Sequence, residues 1–118
     1  LDPNASPDAG LDAYRRNIQN IINISHANNT KVVLSTFCHF MHDTIKEDPL
    51  HSLYRDIISR ENDIMRDLAQ KNQTAIVDNA NLVPQDECYF VDSIHFTPKG
   101  MALIAHNISE EIQALTKN

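Results

Sequence analysis

Asp92 and His95 stand three residues apart in the segment Val91-Asp92-Ser93-Ile94-His95-Phe96-Thr97-Pro98-Lys99-Gly100. A carboxylate and an imidazole at this spacing in a loop can fold back on each other. The carboxylate accepts from one ring nitrogen and leaves the other as a proton acceptor, which is the base-and-orienter half of a nucleophilic triad. Chance produces the same spacing, and it then marks only a surface loop with a local hydrogen bond. Here the pair is followed at once by a helix start, with Thr97 as cap and Pro98 in the first helical position. An apolar stripe at Met101, Ile104, Ala105, Ile108, Ile112 and Leu115 follows at helical spacing.

Other chemistry-bearing residues are sparser. His39, His42 and Asp43 share one stretch and fit a helical turn, but a metal site needs further ligands and supporting partners. The competing reading is a loop lining a cleft, with Phe40 and Met41 offering apolar contact. Asp78 closes a β-like run and is suited to cap or orient a neighbouring loop. His26, His51 and His106 read as surface or helix-end residues. Cys38 and Cys88, fifty residues apart, form neither a disulfide framework nor a paired-thiol zinc pattern, and one bridge or two free thiols both remain open. Asn-x-Ser/Thr triplets begin at Asn4, Asn23, Asn28, Asn72 and Asn107. We read them as a consequence of asparagine richness, since Asn23 and Asn107 fall in expected helices.

The elements that must position these groups follow from periodicity. Ser6 as cap, Pro7 and Asp8 open a first helix whose apolar face is Leu11, Tyr14, Ile18, Ile21 and Ile22, ending at the polar turn His26–Asn29. Lys31–Phe37 is a β-branched run with little alternation, as for a strand buried on both faces of a parallel sheet. Residues 38–49 read as a long loop. A second helix is expected over Leu50–Lys71, with Leu50, Leu53, Tyr54, Ile57, Ile58, Met65, Leu68 and Ala69 on its apolar face. Asn62 lies on that face too and is expected to hydrogen-bond a neighbouring loop. Thr74–Asp78 forms a second strand, 79–96 a loop, and the last helix follows Thr97. The order helix–strand–helix–strand–helix indicates an α/β layer structure with a parallel sheet and a right-handed crossover. Two strands are too few for such a sheet, whose faces and edges need cover, so the 118 residues read as the C-terminal half of a doubly wound domain.

Composition narrows the function classes. Ten Lys+Arg against sixteen Asp+Glu give a net charge of −6, which disfavours a phosphate-binding nucleic-acid partner. No apolar run reaches the ~18–20 residues of a membrane helix. With only Gly10 and Gly100, no glycine-rich phosphate loop can be written. The chain opens on Leu1 without a basic, apolar leader, and is expected to have been cut or processed from a longer one.

The block Asp92-Ser93-Ile94-His95-Phe96-Thr97-Pro98-Lys99-Gly100-Met101 resembles the last conserved block of the SGNH (GDSL-type) hydrolases, in which Asp-x-x-His precedes a short turn, a glycine and the C-terminal helix. The upstream order of elements is compatible with the second half of that domain over essentially all 118 residues. The resemblance implies a three-layer, flavodoxin-like parallel sheet of about five strands in the whole domain. It also implies ester or acyl hydrolysis through a Ser–His–Asp triad, with His95 as base and later acid and Asp92 as its orienter. Substrates would be an ester-containing small molecule, a lipid or an acylated sugar, and no cofactor or metal is implied. The family's nucleophile, oxyanion glycine and Gly-x-Asn-Asp blocks are missing from this sequence. The chain alone is therefore expected to be inactive, with its open sheet covered by the remainder of the domain or by a second copy. A non-catalytic binding subunit or degenerate domain is the alternative.

Overall fold

The computed structural model describes residues 7–41 and 49–117. The elements run α1 (Pro7–Ala27), β1 (Val33–Ser35), α2 (Pro49–Asn72), β2 (Ala75–Val77), α3 (Asn79–Leu82) and α4 (Pro98–Thr116). This is a mixed α/β arrangement in which β1 and β2 pair in parallel, with Val33 opposite Ala75, Leu34 opposite Ile76 and Ser35 opposite Val77. Among the described residues no helix is long and apolar enough to cross a membrane. The expected Ser6 cap, the His42 and Asp43 positions and the Asn4 triplet lie outside the described residues.

The helix boundaries follow local chemistry. Pro7 opens α1 and Asp8 sits in its first turn, where the helix dipole favours a carboxylate. Both long N-terminal helices end without glycine. Asn29 (φ 56°) and Gln73 (φ 51°) take the left-handed conformation, and the following amides, Thr30 and Thr74, return to the carbonyls of Ser25 (2.8 Å) and Ala69 (2.9 Å). These wrap-around bonds satisfy carbonyls that the last turn leaves open.

Side-chain alternation divides the molecule across the sheet. On one face, Leu34 and Ile76 pack with Leu11, Tyr14, Ile18 and Ile22 of α1 and with Ile64, Met65, Leu68 and Ala69 of α2. Ion pairs of Arg15 with Asp67 and of Arg60 with Asp8 tie these two helices at their rims. On the other face, Ser35 accepts from Asn79 Nδ2 (3.0 Å), and Asn79 Oδ1 accepts from Asn107 of α4 (2.9 Å). Asn79 is 1% exposed, so this chain of bonds satisfies a polar group that would otherwise be costly to bury.

Several expectations shift. The strands are three residues each instead of seven and five, because a strand extends only as far as its partner does and, among the described residues, β1 pairs only with β2. Ile64, not Met65, is the buried residue of that turn of α2, while Leu53 and Tyr54 of the expected apolar face are 43% and 55% exposed. Ile21, Met101 and Ile112 are likewise exposed. The 79–96 segment contains α3 and an isolated antiparallel bridge between Phe90 and Phe96. The radius of gyration is 16.0 Å, against about 13.5 Å for a compact chain of this length. Apolar surface remains open at Ile21 and Ile24 of α1 and at Met101 and Ile112 of α4.

Asn62 does what its position on the apolar face suggested. It is buried, its Oδ1 accepts from Phe37 N–H (2.8 Å) and its Nδ2 donates to Phe37 C=O (2.8 Å). The Asn62→Leu variant strands both backbone groups and is expected to lose about 2 kcal/mol in urea unfolding. Unchanged stability would show that water replaces the amide.

Candidate active site

The site is built on segment 36–41, which leaves the carboxyl end of β1, and on segment 89–97, which leads into α4. Thr97 starts α4 with extended backbone, and its Oγ1 accepts from Gly100 N–H (3.1 Å) while donating to the Cys88 carbonyl (2.6 Å). The amide of Thr97 donates to Tyr89 C=O (3.1 Å) and that of Val91 to His95 C=O (2.8 Å), which closes 91–95 into a tight loop. Phe40 N–H donates to Ser93 C=O (2.9 Å) and ties this loop to the β1 exit.

All four phenylalanines of the chain lie on these two segments. Phe40 and Phe90 stack with centroids 4.8 Å apart, Phe90 and Phe96 meet at 5.2 Å, and Phe37 reaches Phe96 edge-on at 6.3 Å. Phe40 and Phe90 form a second buried apolar cluster with Cys38 and Val83, against which Phe96 packs. Such ring contacts stabilise beyond their area alone. Phe40, expected to line a cleft, is instead a buried member of this platform. Cys38 and Cys88 are both free; burial, and then the charge of Asp78, pushes the Cys38 thiol up to about 11.

Above the platform, Asp92 Oδ1 accepts from the amides of Ile94 (2.9 Å) and His95 (2.8 Å), and Asp92 Oδ2 lies 2.8 Å from His95 Nδ1. The Ile94 amide first, then the His95 side chain and amide, lower the Asp92 carboxyl from 3.8 to about 2. At neutral pH it is therefore an anion that can only accept, so Nδ1 carries a proton and, in the neutral ring, Nε2 presents the lone pair. The His95 side chain is 70% exposed. The arrangement can take a proton from a nucleophile brought to Nε2 and stabilise the resulting imidazolium.

The depressed carboxyl has a pH signature. Its folded pKa lies below its unfolded one, so its contribution to loop order is complete above about 3.8 and is lost as pH falls through about 2. A carboxyl-carbon NMR titration of Asp92 should show a midpoint near 2, and a midpoint at 3.8 or above would mean the loop contacts do not persist in solution.

Asp78 takes a structural part. Arg66 grips it with two nitrogens (3.0 and 2.9 Å), Thr36 Oγ1 donates at 2.8 Å and Asn81 at 2.7 Å, and the Arg66 contact holds the carboxyl below its ordinary value. His39 belongs to no described group of three ligands able to hold a metal. His51, read as a surface or helix-end residue, lies in the first turn of α2 and is partly buried, its ring centroid 6.0 Å from that of His39. Asn72 and Asn107 of the triplets spend their side-chain amides on Leu68 C=O and Gln19, and on Asn79. The phenylalanine platform and the Asn79 chain of bonds were not foreseen from sequence; the one available signal was that every phenylalanine flanks a strand-exit loop.

No family model matches the sequence, and no curated protein matches it. Among solved structures, the chain is similar to a Bacteroides fragilis protein described as a "putative acylhydrolase", with a TM-score of 0.67 and 23% identity. The match covers 89% of this chain and 52% of that one, so the chain spans about half the length of this neighbour. At this identity the likeness is one of fold.

Proposed function

We propose that this chain is the C-terminal part of an SGNH-type hydrolase domain and supplies the general base, His95, and its orienter, Asp92, for acyl transfer to water. The observation that carries the reading is the Asp92 Oδ2–His95 Nδ1 contact at 2.8 Å, in the loop directly ahead of the capped α4, on an imidazole that is largely exposed. The fold likeness to an acylhydrolase agrees with it at the level of architecture. In the mechanism proposed, Nε2 takes the proton of a serine hydroxyl as it attacks the ester carbonyl. Asp92 holds the ring and stabilises its charged form, and the imidazolium then returns the proton to the leaving alcohol. Water repeats the cycle on the acyl-enzyme.

The serine and the oxyanion donors belong to sequence blocks outside these 118 residues. In this reading the rest of the domain completes a flavodoxin-like sheet of about five parallel strands by pairing with the free edge of β1. The substrate is an ester of a small molecule, lipid or acylated sugar. The test is a serine-directed fluorophosphonate probe applied to the protein carrying the whole domain. Labelling that falls sharply in His95→Ala supports the triad; equal labelling of both, or none in the wild type, returns the fold to a binding role.

A further inference from the structure

A second feature lies apart from Asp92 and His95. An open groove of about 600 Å³ runs between the 37–41 segment, the first half of α2 and the start of the 79–85 region. Phe37, Met41 and Ile58 give it an apolar wall, and Phe37 and Met41 are 45% and 56% exposed. Two arginines reach it with different freedom. Arg66 is committed to Asp63 and Asp78, whereas Arg55 has no carboxylate partner among the described residues. Asp56, also on the groove, faces Arg60 at 3.8 Å.

Beside Arg55 stand two imidazoles in contact, and each leaves one solvent-shielded nitrogen without a partner: His39 Nδ1 and His51 Nε2. Shielded polar atoms without partners are rare, because each forfeits its hydration. Burial first, then His51 and Arg55, lower the pKa of His39, which favours its neutral form. A neutral ring can turn an N–H toward an acceptor, and a nearby guanidinium disfavours a metal cation. An anionic oxygen would suit both the His39 N–H and the Arg55 guanidinium.

We propose that this groove is a binding site for an amphiphilic anion, a carboxylate or phosphate on an apolar chain, held by Arg55 and His39 and laid against Phe37, Met41 and Ile58. Charge-assisted hydrogen bonds from a guanidinium are stronger than neutral ones, so the anionic end dominates selectivity. The site does not depend on the hydrolase reading, because neither Asp92 nor His95 lines it.

The test is titration of the purified protein with octanoate, octyl phosphate and octan-1-ol, followed by calorimetry and by the imidazole NMR signals. At least one anion is expected to bind about tenfold more tightly than the alcohol and to shift the His39 signals, and which of the two binds better identifies the head group. Arg55→Gln should erase that preference with the amide spectrum otherwise unchanged, and Arg55→Lys should restore part of it. Equal binding of all three probes, binding of none, or an anion preference that survives Arg55→Gln would overturn the proposal. These outcomes are independent of fluorophosphonate labelling.

Discussion

On the proposed triad, His95→Ala is expected to lower ester hydrolysis by the protein carrying the whole domain about a millionfold, and Asp92→Asn about ten-thousandfold. The difference follows from what each side chain does. Without the imidazole no group in the loop can take the serine proton. In the Asp92→Asn variant the amide oxygen can still accept from the backbone N–H groups of Ile94 and His95, so the loop keeps its shape. The position facing Nδ1 then presents an N–H instead of an acceptor, which forces the ring into the tautomer whose Nε2 carries a proton. The loss should fall on kcat with KM nearly unchanged, because neither group is asked to bind the ester. His95 is largely exposed, so its removal leaves the core intact and the loss reports chemistry. The 118-residue chain by itself should turn over no ester. Wild-type-like rates in His95→Ala, or hydrolysis by the isolated chain that disappears in that variant, would refute the assignment of roles.

Gly100→Ala is expected to destabilise the protein by about 3 kcal/mol and to loosen the Asp92–His95 loop. The cause is contact, not backbone conformation, since Gly100 has no positive φ. A Cβ there would lie 2.1 Å from the Tyr89 carbonyl oxygen and 3.1 Å from its carbon. Backbone must then move, and this carbonyl is held by Thr97 N–H. Displacing it pulls on the Thr97 cap and on the Phe90–Phe96 bridge that closes the base of the loop. Gly10→Ala is the control: nothing lies within 4 Å of the added carbon, so in a helix it should gain up to about 1 kcal/mol. Urea unfolding of the two variants decides the matter. A Gly100→Ala protein as stable as wild type would mean that the Tyr89–α4 approach is not close in solution.

The glycine contrast shows where sequence reading reaches. Pro7 with Asp8, and Thr97 with Pro98, marked helix starts to within a residue because capping and dipole effects act inside one turn. Asn62 was legible for a related reason. An amide on an apolar helical face needs a partner wherever it is buried, although the sequence did not say that the partner would be Phe37. Asp92 and His95 were legible as a pair because three residues of loop are short enough for the two side chains to meet locally.

The remainder depended on distance along the chain. Strand length is a property of pairing, so β-branched runs of seven and five residues yielded only three paired positions each. The gathering of Phe37 and Phe40 with Phe90 and Phe96 brings together residues some fifty positions apart, and no local pattern encodes it. The same holds for the Ser35–Asn79–Asn107 chain of bonds and for Arg55 meeting His39 in one groove. The sequence alone determined the three long helices, the parallel order and the Asp92–His95 pairing, because those rest on interactions within a few residues. Only the tertiary structure decided what supports that loop and what lies beside it, because burial and close approach are made by segments that the chain itself keeps far apart.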